Sequence, residues 1–179
     1  KQGDLPRRLA NCSKPQCAAC RFGRATKVPW RVKGSDNAGH IKICTVPGQC
    51  VSVDQLESTT PGLTAQLKGK LTRSRYRYVT VFTDHYSGLS YVHLQKTITS
   101  AETLEAKQAF EAYSQSLGVR IQHYHADNGR FADNLFLKSV VDCKQTISFC
   151  GVNAHFQNGI AEKRIRDLQE SARSQLLHA

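Results

Sequence analysis

The clearest pattern in the sequence lies at residues 76–96, YRYVTVFTDHYSGLSYVHLQK. Aromatic and β-branched side chains occupy both faces of its first half, as in a central strand that is covered on both sides. The turn-forming residues Tyr86, Ser87 and Gly88 separate this strand from a second one at residues 89–95. The two strands are therefore predicted to form a β-hairpin.

The segments on either side of the hairpin predict further strands and helices. A β-branched run at residues 51–53 predicts an earlier strand, and Thr99, Glu102 and Gly118 mark the ends of a helix after the hairpin. The order strand, strand, strand, helix, strand, helix, strand, helix is typical of a mixed α/β layer. The other predicted elements are an insertion that loops out at residues 59–75, strands at residues 119–124 and 146–150, and helices at residues 132–143 and 160–177.

Composition predicts one domain with an appendage. The chain has 179 residues, of which 40% are hydrophobic, and this suffices for one core of about 100 to 150 residues. Residues 1–48 are rich in Lys, Arg, Gly, Pro and Cys without periodicity, which predicts loops and a linker, whereas residues 49–179 hold the predicted domain. The chain lacks methionine and begins with Lys, so we expect a fragment of a longer protein, and whether the domain is complete at its carboxy-terminal end stays open.

Charge and cysteine content indicate the class of partner and the compartment. Twenty-five Lys and Arg against fourteen Asp and Glu give a net charge of +11, which favours an anionic polymer such as nucleic acid as a partner. No stretch approaches the roughly 20 apolar residues of a membrane span, and the amino-terminal residues lack a signal peptide's apolar segment. We therefore expect an intracellular protein with no membrane partner. The seven cysteines are expected to be thiols or metal ligands, with Cys143 and Cys150 as buried apolar thiols.

Three acidic residues stand where a metal-dependent nuclease or strand-transferring enzyme needs them. Asp54 and Asp127 each follow a predicted strand, and Glu162 opens a long amphipathic helix. Neighbouring strands lie about 4.8 Å apart, so the two aspartates can share a divalent cation, and a glutamate over the same sheet edge would complete a site for two Mg²⁺ or Mn²⁺ ions. The alternative for Glu162 is an exposed ion pair with Arg166, worth about 0.3 to 0.5 kcal/mol.

The residues around two of these acids resemble the most recognisable motifs of retroelement integrases. The motifs are DNG at residues 127–129 and QNGIAE at residues 157–162, and residues 79–96 resemble the family's second and third strands. Across residues 49–179 the chain is similar to the copia-type branch from LTR retrotransposons. One residue fewer separates the second and third acids than is usual in the family. Residues 151–156 also differ from the Pro- and Tyr-bearing segment that often precedes the second motif.

The resemblance implies a fold and a set of site residues. The implied fold is α/β, a ribonuclease H-like mixed five-stranded sheet flanked by helices. Asp54, Asp127 and Glu162 would be the catalytic residues and the ligands of two Mg²⁺ or Mn²⁺ ions. Asp84 would be structural and cap the turn after its strand. The residues expected to contact DNA are Asn128, Gln157, Asn158, Lys163, Arg164 and Arg166.

The resemblance also implies an activity and partners. It implies a polynucleotidyl transferase that trims the 3′ ends of element DNA and joins them to target DNA. The alternatives are a ribonuclease H-like nuclease that only hydrolyses and an inactive relic that still binds DNA. DNA and further copies of the chain, in a homo-oligomer, are the expected partners. The expected location is the nucleus, reached from a cytoplasmic particle.

A pair of cysteines, Cys17 and Cys20, resembles the second half of the family's amino-terminal zinc module. The paired histidines of that module are absent from the chain, and two cysteines cannot form the four-ligand site that structural zinc prefers. The segment before residue 49 is therefore interpreted as a truncated remnant of the zinc module followed by a basic linker. Zn²⁺ is expected to bind Cys17 and Cys20 only with residues missing from this chain. Cys12, or His40 with Cys44, are weaker candidates for the missing ligands.

Overall fold

The computed structural model describes residues 17–23, 44–63, 74–151 and 158–178. The chain divides into two compact units. Residues 37–166 form the larger unit, and residues 1–36 and 167–179 form the smaller one. No helix in the described ranges is long and apolar enough to cross a membrane.

A five-stranded sheet organises the larger unit. In chain order the strands are β1 Val51–Leu63, β2 Arg75–Asp84, β3 Ser90–Gln95, β4 His123–Ala126 and β5 Thr146–Phe149, and they lie side by side in the order β3-β2-β1-β4-β5. Strand β1 is antiparallel to β2 and parallel to β4, β2 is antiparallel to β3, and β4 is parallel to β5. The mixed sheet and the β2–β3 hairpin expected from the sequence are thus confirmed.

Within the described residues, four helices accompany the strands. They are α1 Ala18–Gly23, α2 Ser100–Ser116, α3 Asn134–Asp142, which follows the 3₁₀ turn Arg130–Ala132, and α4 Gly159–His178. Thr99 caps α2 as predicted, because its hydroxyl accepts the Glu102 N–H at 3.3 Å. The helix ends before Gly118, whose φ of 73° suits a glycine after a helix.

The two faces of the sheet differ in chemistry. One face is apolar and packs against α2 and α3. There Phe82 stacks on Phe110 with ring centroids 4.6 Å apart, and Tyr124 meets the edge of Phe136 at 5.9 Å. Side chains alternate between the two faces of a strand. On the face opposite the helices, a row of polar residues pairs across all five strands. We call this side the polar face, and its defining row is Ser90, Thr83, Ser52, His125 and Ser148.

The structure corrects three predicted elements. The insertion predicted at residues 59–75 does not loop out from Thr59, because β1 continues to Leu63 and pairs with β2 again beyond a bulge. Pro61 fits this irregular stretch, since a bulge requires fewer N–H donors than a regular ladder. Residues 64–73 lie outside the described part of the chain.

The other two corrections concern β4 and α1. Strand β4 begins at His123, later than predicted, because the Gln122 N–H donates to the Gly48 carbonyl at 2.8 Å and holds this segment against a loop. The segment predicted as loops and a linker contains the short helix α1. Helix α1 lies in the smaller unit with the end of α4, where Gly23 is buried so close to Ser174 that any added Cβ would clash.

Candidate active site

Asp54 and Asp127 stand next to each other at one end of a parallel strand pair. Val53 of β1 pairs with Ala126 of β4, so the next residue on each strand is an aspartate, about 4.8 Å from its neighbour strand. The Asp54 carboxylate accepts the Gln55 N–H at 2.8 Å, and the Asp127 carboxylate accepts the Gly129 N–H at 3.2 Å. Both aspartates are half-buried. The strand register therefore brings two carboxylates together.

Helix α4 brings Glu162 to the same end of the sheet. Just before the helix, Asn158 is 2% exposed and donates from Nδ2 to the Val53 carbonyl at 3.1 Å. Residues four apart lie on the same face of a helix, so Glu162 lies on the face that Asn158 directs at β1. Farther along, Arg164 donates from Nε to Ser90 Oγ at 2.6 Å. These two hydrogen bonds hold the first turns of α4 against the polar face.

One thiol is influenced by all three carboxylates. Cys150 is buried directly after β5, and its N–H donates to the Ala126 carbonyl at 2.9 Å. Burial raises the pKa of this thiol, and the negative charges of Asp127, Asp54 and Glu162 raise it further. The charges of all three acids therefore act on the same thiol. Sequence reasoning gave Cys150 no role at the site, because only the register of β4 and β5 brings it beside Asp127.

The three carboxylates suit hard divalent cations. Mg²⁺ and Mn²⁺ prefer carboxylate oxygen as a ligand. In the part of the chain that the structure describes, the carboxylate oxygens of Asp54, Asp127 and Glu162 do not all lie within 4.8 Å of one another. This spread is wider than one ion bound by all three would require.

Comparison with known proteins identifies the fold. The sequence matches no family model and no curated protein. The structure is similar to a cryo-EM structure of the simian T-cell lymphotropic virus intasome in complex with PP2A regulatory subunit B56 gamma, with a TM-score of 0.57 and 19% identity over 88% of this chain. The fold, a mixed five-stranded sheet flanked by helices, is similar to that of a chain in this intasome.

Two structures of the HTLV-2 integrase catalytic core domain in complex with magnesium are also similar to this chain. The dimeric form has a TM-score of 0.46 and 22% identity over 66% of this chain, and the trimeric form has a TM-score of 0.43 and 21% identity over 74%. The match spans 66% of the dimeric-form chain, 83% of the trimeric-form chain and 55% of the intasome chain.

Two asparagines expected to contact DNA instead contact other parts of the protein. The buried Asn158 corrects the prediction, because its amide group satisfies the Val53 carbonyl and is not accessible to DNA. Asn128 is exposed, yet its Nδ2 donates to the Cys150 carbonyl at 3.0 Å and links β4 to the end of β5. Asn158 is therefore a positioning residue for α4.

The basic residues of α4 divide into two kinds. Lys163 and Arg166 are exposed, whereas Arg164 is half-buried and donates to Ser90. Gln157 lies outside the described residues. Of the predicted DNA contacts on the helix, Lys163 and Arg166 are the ones accessible to a phosphate backbone.

Asp84 has the structural environment implied by the resemblance. Its side chain is 4% exposed. One carboxylate oxygen accepts the Gly48 N–H at 2.9 Å, and the other accepts the N–H and hydroxyl of Ser87 at 2.8 and 2.6 Å. These hydrogen bonds cap the hairpin turn and connect it to the loop before β1.

Histidines on the polar face form hydrogen bonds that the sequence did not predict. His123 and His125 share the Ser148 hydroxyl, each at 2.8 Å, and His125 Nε2 lies 3.5 Å from Cys150 Sγ. The pKa of His85 is lowered by burial and by the positive charge that His125 can carry, against an opposing effect of Asp84. The alternating polar residues of β4 and β5 were the signal that could have predicted this network.

The predicted half of a zinc site lies at the start of α1. Hydrogen bonds from the Cys20 N–H and thiol lower the pKa of Cys17, so the two sulfurs are close together. The described residues contain no third ligand that forms a group with them. At the end of α3, Cys143 is exposed, which corrects the expectation that it is buried, because the helix turns its last residues towards solvent.

Proposed function

We propose that this chain is the catalytic core of a retroelement integrase of the copia-type LTR retrotransposon branch. It would trim the 3′ ends of element DNA and transfer them into target DNA. The observation that carries this proposal is the placement of Asp54 and Asp127 on adjacent parallel strands beneath Glu162. The integrase fold and the motifs around the second and third acids add to it.

Asp54, Asp127 and Glu162 would hold two Mg²⁺ or Mn²⁺ ions. Such ions, when bound, lower the pKa of an attacking water or 3′-hydroxyl and stabilise the departing oxyanion. The protein contributes orientation, since the N–H groups of Gln55 and Gly129 fix the two aspartates. Protons compete with metal ions for carboxylate ligands, so metal affinity is expected to rise with pH.

DNA and other copies of the chain are the proposed partners. Lys163 and Arg166 are exposed beside Glu162 on the same helix, where they can contact phosphates on either side of a scissile bond. The net charge of +11 supports binding to DNA. Because the neighbouring HTLV-2 cores were solved in dimeric and trimeric forms, we propose a homo-oligomer that acts in the nucleus.

A strand-transfer assay tests the proposed reaction. The chain is incubated with an end-labelled DNA duplex and Mn²⁺, and products both shorter and longer than the input are expected. Asp127→Asn should abolish both products, whereas Asp142→Asn, which changes an exposed acid at the end of α3, should leave them unchanged. Shortened products alone would assign the hydrolysing nuclease, and equal activity in the Asp127 variant would refute the triad.

Cation binding provides a second readout that does not need joining activity. Titration of the chain with Mn²⁺, followed by electron paramagnetic resonance of the free ion, should reveal binding that weakens as pH falls. Asp127→Asn should weaken it by at least about tenfold, in line with the loss of one charged ligand. Identical Mn²⁺ binding by the Asp127 and Asp142 variants would refute the assignment of the metal ligands.

A further inference from the structure

A second cluster of side chains that could hold a metal lies near the start of β1 and the end of β2. Cys44, Cys50 and His85 each offer one ligand atom, and these atoms all lie within 4.8 Å of one another. Cys50 Sγ is 3.9 Å from His85 Nε2. Zinc bonds of about 2.3 Å to sulfur and 2.0 to 2.1 Å to nitrogen place tetrahedral ligand atoms roughly 3.5 to 3.8 Å apart. The observed spacing is close to that value.

Backbone hydrogen bonds hold two of these ligands opposite each other. The His85 N–H donates to the Cys50 carbonyl at 3.0 Å, directly beyond the pairing of Val51 with Asp84. Cys50 and His85 are therefore a cross-strand pair whose side chains point to the same face. This arrangement depends on the β1–β2 register and needs no metal to form.

The loop that carries Cys44 is also fixed. The Thr45 N–H donates to Gln49 Oε1 at 2.8 Å, so the loop closes on itself. Gly48 anchors the loop to the sheet, because its N–H donates to Asp84 Oδ1 at 2.9 Å and its carbonyl accepts the Gln122 N–H at 2.8 Å. The three ligands come from separate points of the backbone that are each held in place. A cation would therefore meet a largely preformed site.

The imidazole of His85 has an incomplete set of hydrogen bonds. One ring nitrogen, Nε2, contacts Ser52 Oγ at 2.7 Å. The other, Nδ1, is buried and has no hydrogen-bond partner among the described residues. Cys50 Sγ and Ser52 Oγ both approach Nε2, so Nε2 is the ring nitrogen placed to bind a metal, and the Ser52 contact would give way to the ion.

We propose that Cys44, Cys50 and His85 bind one Zn²⁺ ion through two thiolates and one imidazole. Each thiol releases its proton to solvent on binding, and two thiolates neutralise the charge of the ion in a half-buried location. Thiolate and imidazole select Zn²⁺, whereas the carboxylate triad selects Mg²⁺ or Mn²⁺. The ion would connect the loop before β1 to the end of β2. This site is separate from the amino-terminal cysteine pair and does not depend on the proposed integrase activity.

Cobalt substitution tests the site, because Co²⁺ bound by thiolates gives a sulfur-to-metal absorption band in the near ultraviolet. The experiment uses the full chain, reduced and stripped of metal, with Cys12, Cys17 and Cys20 replaced by Ser to remove the amino-terminal thiols. One equivalent of Co²⁺ should bind with this band, and equimolar Zn²⁺ should displace it. Cys44→Ser and His85→Asn in this background should each weaken Co²⁺ binding by at least tenfold.

Controls separate loss of the site from loss of the fold. Cys143→Ser removes an exposed thiol outside the cluster and should leave the Co²⁺ band and affinity unchanged. Circular dichroism of Cys44→Ser should match the background chain, since Cys44 lies in a loop and is only half-buried. The proposal would be overturned by a missing Co²⁺ band in the reduced background or by an undiminished band in both ligand variants. A Cys44–Cys50 disulfide that forms equally fast with and without Zn²⁺ would also overturn it.

Discussion

Cys150 is the residue through which the charge of the candidate active site can be measured. Burial and the charges of Asp127, Asp54 and Glu162 raise the pKa of its thiol from the ordinary value of 9.0. The thiolate is negative, so each nearby carboxylate opposes its formation. Neutralising a carboxylate removes part of that opposition and lowers the thiol pKa. Cys150 therefore reports on the acids whether or not the chain is catalytically active.

We predict that Mg²⁺ shifts the alkylation of Cys150 by iodoacetamide to lower pH, because the cation offsets the carboxylate charges. Asp127→Asn should shift the profile in the same direction without metal and should remove most of the response to Mg²⁺. Peptide mass spectrometry quantifies the labelling of each cysteine. The exposed Cys143 is the internal control and should respond to neither change. If neither Mg²⁺ nor Asp127→Asn shifts the pH profile of Cys150 alkylation, the proposed arrangement of the acids is contradicted.

At the scale of single elements, helix α4 has two faces with different roles. Asn158 and Arg164 donate hydrogen bonds to Val53 and Ser90 of the sheet, and thereby fix where the helix lies. Lys163 and Arg166 are exposed, and their side chains are not needed to position the helix. Substitutions on the two faces should therefore affect catalysis and DNA affinity separately.

We predict that Asn158→Ala impairs cleavage and that Lys163→Ala impairs DNA binding. Asn158→Ala should lower cation-dependent cleavage by roughly 10²-fold, as expected when a reacting group moves by about 1 Å, and should leave duplex affinity unchanged. Lys163→Ala should weaken duplex binding and reduce the slope of log K against log salt by about 1. Fluorescence anisotropy across a salt series measures the affinity, and a gel assay measures cleavage. Weaker DNA binding by the Asn158 variant with normal cleavage would reverse the assignment.

The loop before β1 depends on a glycine for its shape. Gly48 has a φ of 79°, and a Cβ there would lie 2.4 Å from the Arg120 carbonyl oxygen. Gly88 has a similar φ of 69°, but a Cβ there would meet nothing within 4 Å. Replacing either glycine by alanine therefore strains the backbone, but only the replacement at Gly48 also produces a steric clash.

We predict that Gly48→Ala is more destabilising than Gly88→Ala. The left-handed backbone conformation costs an alanine roughly 1 to 2 kcal/mol, which should be the whole effect at Gly88. At Gly48 the clash with a backbone carbonyl should add at least about 1 kcal/mol. Urea denaturation gives the free energy of unfolding of each variant. Equal losses would mean that the loop relaxes easily and that Cys44 is not rigidly held.

At the scale of the whole molecule, elements with local signals were predicted closely. The cap at Thr99 and the glycine at Gly118 act on residues a few positions away, so the ends of α2 could be inferred from the sequence. The length of β1 could not, because its second half pairs with Tyr76 across residues that no local pattern connects. The late start of β4 at His123 likewise depends on a distant loop.

At the candidate site, too, some features could be predicted from the sequence and others could not. Motifs around Asp127 and Glu162 made those residues recognisable, because each motif is contiguous in sequence. The burial of Asn158 depends on how α4 lies over β1, and the approach of Cys50 to His85 depends on strand register. Neither is specified by the residue types alone, so both emerged only from the folded chain.

A buried lysine connects both core helices to the sheet. Lys107 of α2 is 0% exposed, forms an ion pair with Glu111 at 2.9 Å and donates to Ser139 of α3 at 3.0 Å. Glu111 also accepts the Tyr124 hydroxyl at 2.7 Å and Gln145 Nε2 at 2.6 Å. Burial and the charge of Glu111 raise the pKa of Tyr124 well above its ordinary value, so this hydroxyl stays protonated and continues to donate.

We predict that Lys107→Met lowers the free energy of unfolding by about 3 to 5 kcal/mol, because it leaves the Glu111 carboxylate without its cation. Adding Glu111→Gln should recover part of this loss, since the amide oxygen can still accept from Tyr124. The control is Arg77→Ala, which breaks an exposed ion pair with Glu57 and should cost at most about 1 kcal/mol. Urea denaturation measures all three. Similar losses for the Lys107 and Arg77 variants would show that the buried network contributes little, and that aromatic packing alone holds α2 and α3 on the sheet.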